Sequence, residues 1–313
     1  MTSQKVLRAA LDDAATPQAR LQAALDLLAV TESRSHIDAV LLTLESQALV
    51  EHLSDAHRDI IREKCWFYYN APPAKDKAAI IREKLTRLLV HINNPEDRDL
   101  YLRGVLTYYR QPVDDVAQNL RAAALAGLAT CDRELACLYA TRLLGEPDSS
   151  VFNCEPSITA IEVLTQFDQT LPVYQFILRS GVDFAPRRGE AVARAFEALP
   201  DDFPPELLID AAEIFIEIDA SVILTGIIDV LVKREDDALH ELIERIIDST
   251  ADDDLHGYGT IMMATSHKPM LIASLYQMAR LSPRERIHNF IRAIELTQHS
   301  DRDDTLALLE KRL

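Results

Sequence analysis

Glycine is scarce, with 8 residues in a chain of 313. An all-β domain or a phosphate-cradling loop needs many residues free to take unusual backbone angles, so both are disfavoured. Cysteine contributes four residues, Cys65, Cys131, Cys137 and Cys154, and no CxxC pair. They read as buried or partly buried thiols in a reducing cytosol. No apolar run approaches the roughly 20 residues that a membrane-spanning helix requires. The opening stretch MTSQKVLRAALDDAA carries acids within its first apolar segment, which is not the pattern of a secretory signal. No serine or cysteine sits in a glycine-flanked elbow of the kind that presents a nucleophile. Positive charge is in deficit: 33 Lys and Arg face 50 Asp and Glu, a formal net charge of −17. Phosphate backbones and anionic membrane surfaces repel such a chain, which argues against general nucleic-acid binding and against membrane association. The expectation is a soluble, cytoplasmic protein with no cofactor and no metal.

What is present is helical periodicity. Hydrophobic residues make up 48% of the chain, enough for a large core and too many for a disordered protein. In ASVILTGIIDVLVKR the pairs Ile223/Leu224, Ile227/Ile228 and Leu231/Val232 step by four, which is one face of an α-helix. Leu120–Ala129 and Ala19–Ala29 show the same face with small residues interleaved, which lets helices approach closely. Thr16-Pro17, Asn94-Pro95, Glu155-Pro156, Lys268-Pro269 and Ser282-Pro283 each precede a periodic stretch and mark helix starts. Ser282 and Glu285 fit a capping box. Between these signals roughly seventeen helices are expected, joined by short polar loops.

The helices repeat. In PELLIDAAEIFIEI, Pro205 to Ile218, a shift of thirty-one residues lays Leu208 on Leu239, Ala212 on Ile243 and Phe215 on Ile246. Acids land on acids: Glu206 on Asp237, Asp210 on Glu241, Glu213 on Glu244, Glu217 on Asp248. Ala160/Ile161/Leu164 shift by 31 onto Ala191/Val192/Ala195, and Leu135/Ala136/Tyr139/Ala140 shift by 38 onto Val173/Tyr174/Ile177/Leu178. Two classes of helix alternate, each with an apolar face too wide to leave in water, so stacking must bury it. The expectation is an all-α protein: one domain spanning residues 1–313, an α-solenoid of stacked antiparallel helical hairpins with roughly eight repeats.

The stretch NLRAAALAGLATCDRELACLYATRLLGEPD followed by PSITAIEVL resembles the HEAT-like class of helical repeats. Asn119 to Leu125 carries the first-helix pattern best, Ala19 to Leu25 less well, and Arg187 to Ala193 weakly. The resemblance covers residues 4–298 and is strongest over 116–250. Tetratricopeptide repeats would demand a more regular spacing and a Trp/Leu/Gly/Tyr signature that is missing here.

The resemblance implies three enzyme classes to weigh. Deoxyhypusine hydroxylase is similar in implied fold but needs several His-Glu dipeptides for iron; this chain has one, His240-Glu241. HEAT-like alkylpurine DNA glycosylases need a basic groove with aromatics. Residues 58–87 come nearest: Arg58, Arg62, Lys64, Lys75, Lys77, Arg82, Lys84 and Arg87 stand against Asp59, Glu63, Asp76 and Glu83, beside Trp66, Tyr68 and Tyr69. Cys65, Trp66 and Tyr69 share core-like spacing with Ile61, and the charges read as a solvated, salt-bridged surface. Nothing identifies a bilin lyase site. His256-Gly257-Tyr258-Gly259 reads as a loop between repeats, and Ala251–Gly257 lacks the ligand spacing of a calcium loop.

The strongest functional signal is charge segregation. Residues 201–254 hold seventeen acids and three bases, Lys233, Arg234 and Arg245. Offsets of 4, 7 and 11 place Glu206, Asp210, Glu213 and Glu217 on one helical stripe, and Asp237, Glu241, Glu244 and Asp248 on the next. Two readings stay open: a merely solvated face, or a recognition surface for a basic protein partner. The second makes the chain a non-enzymatic interaction scaffold or adaptor. A HEAT-like enzyme acting on nucleic acid is the alternative.

Overall fold

The computed structural model describes residues 4–110, 115–146, 153–182 and 188–313. Arg187, the first residue of one repeat-like stretch, lies outside them, as do Pro147 and Asp148 of another. The described residues are all-α; the one β-type contact among them is a lone bridge between Arg110 and Asp115. The chain divides into two compact units, 1–169 and 170–313.

The first unit contains α1 (Gln4–Asp12), α2 (Pro17–Val30), α3 (Arg34–Leu44), α4 (Gln47–Val50), α5 (Asp55–Asn70), α6 (Ile80–Ile92), α7 (Arg98–Val105), α8 (Gln118–Cys131), α9 (Arg133–Leu144) and α10 (Ser157–Gln166). The prolines act as expected. Pro17 opens α2 and Thr16 accepts from the Ala19 amide at 3.2 Å; Pro95 opens a 3-10 turn that leads into α7. Most consecutive helices pack as hairpins, α5 on α6, α7 on α8 and α9 on α10 among them, and α8 packs alongside both α6 and α10. Close approach is bought by small residues: a Cβ on Gly104 of α7 would meet the Ala124 Cβ of α8 at 2.5 Å.

The second unit contains α11 (Thr170–Val182), α12 (Gly189–Glu197), α13 (Pro205–Glu217), α14 (Ser221–Lys233), α15 (Asp237–Ser249), α16 (Asp253–Thr265), α17 (Pro269–Leu281), α18 (Ile287–Glu295) and α19 (Arg302–Glu310). Every helix packs on the next but one, and all but α12 pack on their successor, so α11, α13, α15, α17 and α19 form one row and α12, α14, α16 and α18 another. The apolar positions that repeat in the sequence are the core: Leu208, Ala212, Phe215, Leu239, Ile243 and Ile246 are fully buried. Phe215 meets Phe196 edge-on at 5.7 Å. Burying such side chains stabilises by about 1.5–3 kcal/mol each.

Two local expectations are corrected. The capping box at Ser282 does not form, because a 3-10 turn at Arg284–Arg286 intervenes before α18 and the Ser282 hydroxyl donates back to the Ala279 carbonyl at 3.1 Å. The stretch His256-Gly257-Tyr258-Gly259 is no loop; it lies inside α16. A Cβ at Gly259 would come within 2.7 Å of Ile247, so this glycine serves helix contact.

Candidate functional site

The acidic rows lie on α13 and α15, which pack against each other. Glu206, Asp210, Glu213, Glu217, Asp237, Glu241 and Asp248 are exposed, and Glu244 is half-buried. Interaxial distances of packed helices run about 8–10 Å, so the two rows face solvent as one acidic band. One cation enters it: Arg245 of α15 donates to Glu213 of α13 at 2.8 Å. The band is therefore not purely carboxylate, which eight offset acids alone did not reveal.

The scarcity of cations around the band has a structural reason. Four basic residues of this unit bind backbone carbonyls at helix ends or in the connections between helices, where many carbonyls have no helical partner. Arg234 donates to the carbonyls of Phe203 at 2.9 Å and Pro200 at 2.7 Å. Lys268 donates to the Arg234 carbonyl. Arg286 donates to the carbonyls of Ile247 and Thr250, and Arg312 to those of Arg280 and Ser282. Each joins segments roughly one repeat apart in sequence.

The basic stretch 58–87 is also not what its composition implied. Arg58 and Arg82 are buried, and six of the eight bases form ion pairs. Arg58 donates to both oxygens of Asp97 through Nε at 3.0 Å and through Nη2 at 2.8 Å; Arg62 reaches Asp97 at 2.9 Å and Asp99 at 2.8 Å. Arg82 donates to Asp76 at 2.7 Å, and Lys84 pairs with Glu45. Lys64 lies over the Phe67 ring at 5.1 Å. Arg58, Lys64 and Arg82 are thus internal, while Lys75, Lys77 and Arg87 are exposed, Lys75 and Arg87 within ion pairs, as a salt-bridged surface requires. Trp66 is half-buried and stands 5.7 Å from the Tyr69 ring.

The remaining candidates resolve into structural roles. His240 and Glu241 point apart: the imidazole is buried with Nε2 3.2 Å from the Arg234 carbonyl, while Glu241 is exposed. Asp252 caps α16, accepting from the amides of Asp254 at 2.9 Å and Leu255 at 3.2 Å. Cys65 and Cys154 are buried and Cys131 and Cys137 half-buried. Burial pushes the Cys65 thiol up to about 12 and raises Cys131 and Cys137 as well, so none of these three is a thiolate nucleophile at neutral pH. Among the described residues no helix is long and apolar enough to cross a membrane.

No protein-family model, curated protein or solved structure matches this chain.

Proposed function

We propose that the protein is a non-enzymatic interaction scaffold whose helical hairpins stack as HEAT-like repeats, about eight in all, and whose acidic band on α13 and α15 takes a basic protein partner. The observation that carries this reading is the band itself: seven exposed carboxylates on two packed helices, with Arg245 paired to one of them. Like charges at i,i+4 cost a few tenths of a kcal/mol, and Arg234 and Arg286 are held on backbone carbonyls instead of relieving that repulsion. The side-by-side packing of alternate helices supports the stacked-hairpin arrangement within each unit. The nucleic-acid reading loses its support, because the bases that motivated it are paired with carboxylates.

The test uses a helical peptide with lysines at offsets 0, 4, 7 and 11, matched to one acidic row, as a fluorescent probe. A variant with Asp210→Asn, Glu217→Gln, Glu241→Gln and Asp248→Asn leaves the Arg245–Glu213 pair intact. Wild type is expected to bind the peptide about tenfold or more tightly than the variant at low salt. The advantage should vanish as the Debye length falls from about 10 Å at 0.1 M to about 3 Å at 1 M. Equal binding by both proteins at low salt reduces the band to a solvated face.

A further inference from the structure

A second concavity lies in the first unit, independent of the acidic band. On the face where α6, α8 and α10 run side by side, a trough of about 300 Å³ opens. Its origin is in the sequence. The middle helix presents Ala122, Ala123 and Ala126, while its neighbours present the longer Arg87 on α6 and Glu155 and Thr159 at the start of α10. The floor is methyl groups and the walls are polar.

The charges around the trough do not balance. Arg87 is held by Glu83 one turn earlier, at 2.8 Å. Glu155 accepts from the Thr159 amide at 3.2 Å and the Thr159 hydroxyl at 3.0 Å, both neutral donors. Glu162 stands near enough to Glu155 to raise its pKa further, and Lys84, which also acts on Glu83, is paired with Glu45, so among the described residues the surroundings of the trough are net negative and an added positive charge would be favoured. Burial holds the Glu155 carboxyl above its ordinary range despite the two Thr159 hydrogen bonds, and burial raises Glu83 likewise despite Arg87. Both groups would gain from a further cation.

We propose that this trough is a docking pocket for a lysine side chain presented by a protein partner. A methylene stem lies naturally on an alanine floor with its charged end at the rim. Each Glu155 oxygen already accepts one hydrogen bond, which leaves single acceptor sites rather than an open bidentate pair. That suits the compact ammonium of lysine better than the planar fork of arginine.

The experiment labels alanine methyls with ¹³C in the full chain and titrates blocked lysine, Nα-acetyl-lysine methylamide, up to tens of millimolar, the range a one-residue contact requires. Saturable shifts at Ala122, Ala123 and Ala126 are expected, weaker with the blocked arginine analogue and absent when the lysine Nε is acetylated. Glu155→Gln keeps an acceptor for Thr159 but removes the charge, and should abolish saturation with an unchanged circular dichroism spectrum. Should that variant misfold, Ala123→Met offers a second block by filling the floor. Three results overturn the proposal: no saturable shift, saturation unaffected by both variants, or saturation by butyrate, which would assign an anion site on Arg87. Tighter binding of free zwitterionic lysine than of the blocked form would likewise replace a protein partner with a small molecule.

Discussion

The two units use the same residue types in opposite ways. In the first, carboxylate and guanidinium meet inside: Asp97 is fully buried and receives Arg58 and Arg62 from α5, thirty-nine and thirty-five residues back in the chain. In the second, the buried or half-buried arginines Arg234, Arg286 and Arg312 turn to backbone carbonyls, the ion pairs of Arg194, Arg245 and Arg280 lie at the surface, and most acids of α13 and α15 turn to water. Charged residues therefore locate stability in one unit and surface potential in the other. A buried pair that loses one member strands a charge in low dielectric, whereas an exposed acid loses little.

The sharpest test of this contrast is Asp97→Ala. It leaves the buried Arg58 with only the exposed carboxylates of Glu96 at 3.1 Å and Asp59 at 3.9 Å, and a loss of about 3–5 kcal/mol is expected. The only tryptophan, Trp66, lies with its ring 6.0 Å from the Arg62 guanidinium. Its fluorescence during urea unfolding reads the effect where it arises. A loss below about 1 kcal/mol would place Asp97 among ordinary surface pairs.

Among the buried ionisable groups of the second unit, His256 is the most completely enclosed. Its Nδ1 lies 3.2 Å from the Asn289 amide nitrogen, and its ring meets Phe290 edge-on at 5.1 Å. Burial, reinforced by Arg286 and opposed by Asp253, lowers its pKa to about 4. The folded protein keeps the imidazole neutral, so the unfolded chain takes up the proton first as pH falls. Stability from this site is complete above about pH 6.5 and is lost progressively toward pH 4, by up to about 3 kcal/mol. His256→Gln retains an acceptor for Asn289 and should flatten the urea midpoint against pH over that window. An unchanged slope would show that His256 does not set it.

Helix contact ranks next. A Cβ on Gly226 of α14 would stand 2.6 Å from the Ala193 Cβ and 3.0 Å from its Cα on α12. Backbone, not a flexible side-chain end, must give way, and Gly226→Ala should cost about 1–3 kcal/mol. Thermal unfolding followed by far-UV circular dichroism checks it; a stabilised variant would mean that the two helices separate without strain.

What could be seen in the sequence follows the range of the interactions. Apolar faces, proline starts and the outward direction of Asp210 or Glu241 are set within one helix by the 3.6-residue period, and all were legible. The internal pairs were not, because Arg58 and Asp97 lie thirty-nine residues apart and local charge counting makes 58–87 look like a basic surface. A signal existed nonetheless. Arg98 pairs with Asp132 at an offset of 34 and Arg245 with Glu213 at 32, so opposite charges one repeat apart are the pattern to seek. The roles of Arg234, Arg286 and Arg312 left no such trace, since a backbone carbonyl is present at every residue. The trough over Ala122, Ala123 and Ala126 was hidden for a related reason: its depth depends on the length of side chains on two other helices.

The smallest expected effect on stability separates the two halves of the comparison most cleanly. Glu217 is exposed at the end of α13 and forms no ion pair with a described Lys or Arg, while Glu213 one turn earlier holds Arg245. Glu217→Gln removes only repulsion and should stabilise by a few tenths of a kcal/mol at low salt. Glu213→Gln removes repulsion and also an exposed pair worth about 0.2–1 kcal/mol, so its net change should be near zero or slightly negative. Both differences should shrink toward zero in 1 M salt, where the Debye length is about 3 Å. Urea midpoints for the two variants at low and high salt decide the matter. If Glu217→Gln destabilises the protein at low salt by more than 1 kcal/mol, the acidic row is part of the fold's support and not a free surface, and the division between a charge-buried first unit and a charge-presenting second one fails.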